Sequence, residues 1–175
     1  MPLRRPPAGS SGSPWAIETE VLTWRFAPVV AALQAMRGIQ FLHAVTLISE
    51  LGDLTRFGSA RQLMAYLGLV PRENSTGEHR HQGAITRAGN AYARRALVEA
   101  AWAYRFPARV SRLIATRQSG LPKVACDIAW KAQLRLCTKY RRLSARRVNP
   151  NKIVVALARE LSGFVWAIGQ CVKPH

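Results

Sequence analysis

Between Gly68 and Asn90 the chain reads GLVPRENSTGEHRHQGAITRAGN, and two adjacent hydroxyls, Ser75 and Thr76, stand there among arginines and glycines. A serine or threonine hydroxyl is a weak nucleophile until its proton is removed or its alkoxide is stabilised. Attack on a phosphodiester also needs cations that take up the developing negative charge, a task suited to the guanidinium group and its paired N–H donors. Arg72, Arg80, Arg87, Arg94 and Arg95 are near enough in sequence to supply them, and Gly77 and Gly83 allow a nucleic-acid strand to approach the backbone. The competing reading is that Ser75 only helps the chain turn, as most serines in Gly-rich polar segments do. A segment this long exceeds the needs of a turn, so the sequence predicts a long polar loop with either a function or no fixed structure.

His79 and His81 in the same segment raise the question of a metal. No third or fourth ligand stands at a suitable spacing, and the flanking arginines repel a cation, so no metal site is expected.

A second candidate lies in the longest predicted helix, from about Lys123 to Arg146. At 100° per residue, Ala125, Ala129, Leu136, Tyr140 and Leu143 share an apolar side, while Lys131, Arg135, Lys139, Arg142 and Arg146 cluster within about a quarter turn. Charged helix faces are usually just solvated. The only acids after residue 100 are Asp127 and Glu160, so pairing along the helix cannot neutralise this stripe, and phosphate binding is the preferred reading. Such contacts give affinity and salt dependence without base specificity. A third candidate, LQAMRGIQFLHAVTLISELGD from Leu33 to Asp53, resembles a degraded helix-hairpin-helix, in which a tight turn at Gly38 offers backbone N–H groups to a phosphate. Gln40 stands where a second glycine normally sits, so a plain helix-to-helix turn is equally open.

These segments sit in a chain of 175 residues with a formal net charge of +17 and a pI near 11.4, half of whose residues are apolar. That length supports one domain with a real core, and that composition excludes wholesale disorder. So strong a positive charge calls for a polyanionic partner, and nucleic acid is the natural one. No run approaches the roughly 18 uncharged apolar residues of a membrane span, so no membrane partner is expected. The N-terminus has a basic pair but no apolar signal core, which points to the cytoplasm. Cys126, Cys137 and Cys171 lack metal or redox spacing and read as small core residues.

The remaining pattern is helical. Residues 1–16, rich in Pro, Gly and Ser, are expected to be a disordered basic arm. Pro28 starts a helix that Gly38 stops, and Phe41 to Leu51 forms the next. Ser59 caps a short helix ending at Gly68, and Asn90 caps one running toward Pro107. Further helices are predicted over 108–117, over the long basic segment, and from Ile153 through Trp166 after the Asn149, Pro150, Asn151 turn. With no sustained alternation and no internal repeat, the expected fold is all-α: a compact multi-helix domain with a helix-hairpin-helix-like element and a long polar loop.

The order ELGDLTRFGSARQLMAYLGLVPRENSTGEHRHQGAITRAGNAYARRALVEAAWAYR, followed by IAWKAQLRLCTKYRRL and VVALARELSGFVWAI, strongly resembles the C-terminal transposase domain of the one-ten group of insertion-sequence transposases. These are relatives of the Piv invertases and act as RNA-guided DNA recombinases. The likeness covers about Leu33 to Gly169. It implies that Ser75, Thr76 and Gly77 correspond to the family's Ser, Ser/Thr, Gly element, whose serine attacks DNA covalently. Some members keep the serine directly before the glycine, where this chain has Thr76, so either hydroxyl is a candidate. ITRAGNAYARR matches the family's next motif, with Arg87 in place of a lysine, Gly89 at the glycine, where a nucleic-acid backbone is also expected to approach, and Arg94 at the common arginine.

Members also carry an N-terminal RuvC-like domain whose acidic residues bind two divalent metals, and only Glu18 and Glu20 precede the likeness here. Residues 17–37 resemble the end of the linker between the two domains, and 38–172 the transposase C-terminal domain. The expectation is a truncated or separately encoded half of a transposase, acting in the bacterial cytoplasm at the nucleoid. Its partners would be DNA and a guide (bridge) RNA, with a homo-oligomer in the full transposase. No cofactor is expected in this chain, Mg²⁺ being required only in the partner domain, without which the chain is expected to be inactive. The alternatives are a non-catalytic DNA- or RNA-binding remnant and a structural or oligomerisation fragment.

Overall fold

Pro28 occupies the first turn of helix α1 (Ala27–Leu33), where its missing N–H costs nothing, and Val29, Val30 and Leu33 turn inward. The computed structural model describes the backbone of residues 20–76 and 79–175, and the side chains of those residues other than 73–82. The expected arm, residues 1–16, lies outside the described residues, as do Gly77 and the side chains of Ser75, Thr76 and Arg80. Helix α2 (Phe41–Leu51) follows, with Ala44, Leu47, Ile48 and Leu51 buried at helical spacing. A 3-10 turn (Leu54–Arg56) is capped by Asp53, whose carboxylate accepts from the Thr55 N–H at 2.9 Å. Helix α3 (Ala60–Tyr66) starts at Ser59, as its capping hydroxyl predicts.

Helix α4 (Ala91–Ala101) is capped by Asn90 and runs into a second 3-10 turn (Trp102–Arg105) that buries Tyr104 completely. Helix α5 (Arg112–Gln118) begins four residues later than the sequence suggests. Ser111 Oγ accepts from the Ile114 N–H, and the preceding Arg109 N–H is turned to the buried Gln133 side chain instead. Helices α6 (Lys123–Ala145) and α7 (Pro150–Cys171) are the longest, and α7 extends beyond the predicted bounds at both ends. The fold is mostly helical, as expected. Among the described residues one small antiparallel sheet of two strands interrupts it, β1 (Pro71–Thr76) and β2 (His79–Ile85). The segment expected to be a long polar loop is this hairpin.

The core forms around α7, which packs against α1, α3, α4, α6 and the first 3-10 turn. By length and composition α7 could cross a membrane, with a mean hydropathy of 1.3 over an 18-residue window, but Arg159 and Glu160 stand in its middle, so it is not the uncharged apolar run of a typical span. Its apolar residues are instead the centre of the core: Ile153, Val154, Leu157, Leu161, Val165 and Ile168 are all buried against other helices. The Trp166 indole N–H donates to the Phe57 carbonyl at 2.7 Å and the Gln170 amide to the Leu54 carbonyl at 3.1 Å, which ties the first 3-10 turn to this helix. Residues of the expected linker share the same core, since Leu33 and Met36 are fully buried in it. Of the three free cysteines only Cys137 is buried; Cys171, the last residue of α7, is exposed and departs from the core role expected of it.

Leu136 is fully buried on α6, so Leu136→Ala should cost about 2–5 kcal/mol in denaturant unfolding through the lost transfer energy and the cavity left behind. Leu113→Ala, at a residue 77% exposed, should change stability by no more than about 0.5 kcal/mol.

Candidate nucleic-acid interface and hydroxyl-bearing hairpin

The stripe on α6 opens into a groove. Lys131, Arg135, Lys139 and Arg142 line one wall, Glu160 and Phe164 of α7 stand opposite, and the space between is about 620 Å³. Arg146, the fifth member of the stripe, is the C-cap of α6. Helical periodicity explains the alignment of the cations, while Ala125, Ala129, Ala132 and Leu136 form the buried side of the same helix.

The expectation that nothing neutralises the stripe is corrected for two of its members. Glu160 reaches across from α7, its carboxylate accepting from Arg135 Nε at 2.7 Å and from Lys139 Nζ. Burial pushes the Glu160 carboxyl pKa up, but the hydrogen bonds and charges of Lys139 and Arg135 together outweigh it, and the net shift is downward. The carboxylate therefore stays charged at neutral pH. Sequence spacing could not reveal this pair, because its members are 25 and 21 residues apart on different helices. Lys131, Arg142 and Arg146 make no ion pair among the described residues.

The hairpin springs from the junction of α3 and α4. Gly68 and Gly89 both have positive φ, and a Cβ on Gly89 would stand 2.0 Å from the Tyr66 carbonyl oxygen, one on Gly68 2.1 Å from that of Ala88. Only glycine permits this crossing of the two chain segments. Below the strands the ladder continues, with the Thr86 N–H donating to the Val70 carbonyl and the Arg87 N–H to that of Gly68. Asn90 completes the clamp, accepting from the Ala93 N–H at 2.9 Å and donating to Glu50 at 2.6 Å. In the strand register Ser75 is paired with Arg80 and Thr76 with His79, beyond a bulge between Pro71 and Glu73.

The expected charge-stabilising and strand-contacting residues are placed unequally. Arg72 is exposed and reaches the Thr86 carbonyl at 3.3 Å. Arg87 is exposed, and its φ of 55° lies in the left-handed region that non-glycine residues seldom occupy. The structure thus brings Arg72, Arg87 and the backbone of Arg80 to the hairpin that carries Ser75 and Thr76. Arg94 is half-buried, and its guanidinium donates to the Leu67 carbonyl at 2.9 Å, bracing the end of α3. Arg95 points away into solvent and pairs with Glu99 at 2.8 Å; its hydrogen bond, ahead of all other effects, holds the Glu99 carboxyl below the usual range. His43 also approaches Glu99, at 3.7 Å, a contact that sequence reading did not find.

Gly38 and Gly89, both expected to let a nucleic-acid backbone approach, are accounted for by protein packing. A Cβ on Gly38 would stand 2.2 Å from the Ala100 carbonyl oxygen, so the α1–α2 corner of the helix-hairpin-helix-like element is turned onto α4. Gly83 is different: it is exposed, and an added Cβ would meet nothing closer than 3.6 Å. Among the described residues no three His, Cys, Asp or Glu side chains gather where they could hold a metal ion.

Comparison with known proteins fits these observations. Residues 30–115 match the family described as Transposase IS116/IS110/IS902. The chain is 50% identical over 147 residues to a putative transposase (y4qE) of Sinorhizobium fredii, covering 84% of this chain and 38% of that protein. It is 30% identical to a probable family 20 transposase of Pseudomonas aeruginosa, covering 83% of this chain and 37% of the relative. With the transposase for insertion sequence element IS1533 of Leptospira borgpetersenii it shares 31% identity, over 67% of this chain and 34% of that protein. The chain thus spans less than two fifths of the length of each of these relatives. On the family match and these relatives together, the chain carries a transposase domain of the IS116/IS110/IS902 family.

Proposed function

We propose that this chain is the DNA-binding and hydroxyl-bearing part of an insertion-sequence transposase, and that it works in DNA transposition. The observation that carries the reading is the α6–α7 groove, where Lys131 and Arg142 stand without an ionic partner among the described residues and face the same open space. Phosphates spaced along a nucleic-acid strand meet such a row of cations and release their condensed counterions, so binding weakens steeply with salt. Its partners in this reading are DNA and a guide RNA, within a homo-oligomer of the full transposase, at work on DNA in the bacterial cytoplasm. The measurement is affinity for a DNA duplex against salt, for the native chain and for Lys131→Gln, Arg142→Gln and Arg146→Gln combined. The slope of log affinity on log salt should fall by roughly 2–3 in the triple variant. Equal slopes would remove this helix from the interface.

Glu160 enters this reading as an internal competitor. It already holds Arg135 and Lys139, so a phosphate must displace it to gain those two cations. Glu160→Gln should therefore tighten DNA binding and steepen its salt dependence relative to the native chain. Weaker binding with an unchanged melting temperature would contradict the competitor role.

The hairpin supplies the reacting group in the same proposal. Ser75 Oγ attacks a phosphorus of the DNA strand, and a bridging P–O bond breaks as the Oγ–P bond forms. The hydroxyl proton passes to a base, and the released deoxyribose oxygen takes one up. Arg87 and the register that pairs Ser75 with Arg80 support charge stabilisation at that phosphorus. Arginines are poor bases, and the described residues do not fit a divalent metal, so the proposal assigns Mg²⁺ chemistry to a separate acidic domain. The chain incubated with family-type DNA ends, guide RNA and Mg²⁺ should form a covalent protein–DNA adduct only when a RuvC-like acidic domain is added. Ser75→Ala should abolish that adduct and Thr76→Ala should not; the reverse result assigns the reaction to Thr76. An adduct formed by the chain alone would contradict the need for a partner. Salt-sensitive binding with no adduct under any condition would favour a binding role without catalysis.

A further inference from the structure

Beside the base of the hairpin lies a second feature that neither the stripe nor the hydroxyls explain. The rings of Phe57 and Tyr66 form a tilted pair with centroids 5.3 Å apart. The exposed Arg56 guanidinium lies over both of them, its carbon 4.5 Å from the Phe57 centroid and 4.9 Å from that of Tyr66. Phe57 is 7% exposed and acts as a floor, whereas Tyr66 is 40% exposed. Arg56 makes no ion pair among the described residues.

The backbone beneath this group is tied on both sides. The Phe57 carbonyl takes the Trp166 indole N–H, the Tyr66 carbonyl takes the Asn90 N–H at 3.3 Å, and Asp53 caps the turn from which Arg56 projects. An exposed cation–π contact contributes only about 0.5–1 kcal/mol, and one ring would suffice for it. What the arrangement adds is a guanidinium held over two rings and bordered by an exposed phenol, a pairing of cation and aromatic face on which unstacked nucleobases rest in strand-binding proteins.

We propose that Arg56 and Tyr66 form a stacking site for an unpaired nucleotide, the base lying on the Tyr66 ring and the guanidinium plane while the outward N–H groups of Arg56 meet its phosphate. The ligand is an unpaired strand because in a duplex both faces of each base are covered by its neighbours, leaving none to lie on a protein surface. Tyr66 is the last residue of α3 and precedes Gly68 at the hairpin base. Ser75 lies seven residues beyond Gly68, about 23 Å along an extended strand at the usual rise. A site here would hold a strand open at the base of the hairpin that carries the candidate nucleophile. This inference rests on the nucleic-acid reading of the chain and uses residues independent of the α6 stripe.

The test is fluorescence polarisation with a labelled 20-nucleotide single strand and with the duplex of the same sequence, for the native chain, Tyr66→Leu, Tyr66→Phe and Arg56→Gln. Tyr66→Leu should weaken single-strand binding about five- to hundredfold, the range of one lost base–aromatic stack. Duplex binding should change less than about twofold, and Tyr66→Phe should stay near native for both, because the stack needs the ring and not the hydroxyl. Arg56→Gln keeps both rings and should lose the same single-strand preference, so it decides the matter if Tyr66→Leu lowers the melting temperature. Unchanged single-strand affinity, or equal losses for single strand and duplex, would overturn the stacking site while leaving the groove untouched. Failure of the native chain to bind either form would overturn the nucleic-acid reading and this inference with it.

Discussion

Burial of α7 is the constraint from which the rest of the structure follows. Its apolar residues face α1, α3, α4 and α6, so each of those helices has one side committed to the core and one side free. The commitment is visible in α6, which packs along α7 and keeps Ala125, Ala129 and Ala132 buried. It also fixes where polar groups can go. Glu160 meets Arg135 and Lys139 of α6, and the Trp166 and Gln170 side chains reach the turn that carries Arg56. The groove and the stacking surface are therefore both consequences of how one helix is packed.

Charge acts in the opposite direction to this packing. A chain with a formal net charge of +17 repels itself, and exposed pairs such as Arg95 with Glu99 recover little, on the order of 0.2–1 kcal/mol each. Folding is sustained by apolar burial, and the surface retains most of its positive charge. A polyanion that covers it relieves the repulsion and gains contacts together. In Glu160 the protein holds its own anion against two of these cations. In the proposed reading, part of the interface is conditional on displacing that carboxylate.

The helices were legible in the sequence because their cues are local. Pro28, Ser59 and Asn90 mark helix starts, and the apolar spacing of α2, α4 and α6 marks the buried faces. The hairpin was not legible. PRENST and HRHQGAI are polar through nearly their whole length, so no alternation of apolar and polar residues reports a strand, and the pairing is carried by backbone hydrogen bonds and by the glycine crossing at Gly68 and Gly89. Gly89, read from sequence as a place for a nucleic-acid strand, serves the crossing itself. The Glu160 pair and the Arg56, Phe57, Tyr66 group were hidden for a different reason. They depend on which helix faces meet, or on ring geometry, neither of which a linear spacing records.

The central claim is that the α6–α7 groove faces nucleic acid, and amine acetylation followed by mass spectrometry tests it residue by residue. Lys131 in the groove and Lys173 at the far end of the chain are both exposed. Bound DNA at low salt should protect Lys131 from acetylation and leave Lys173 as reactive as in the free protein, and the protection should vanish as salt is raised. Equal protection of both lysines, or none at Lys131 while DNA is bound, would contradict the account.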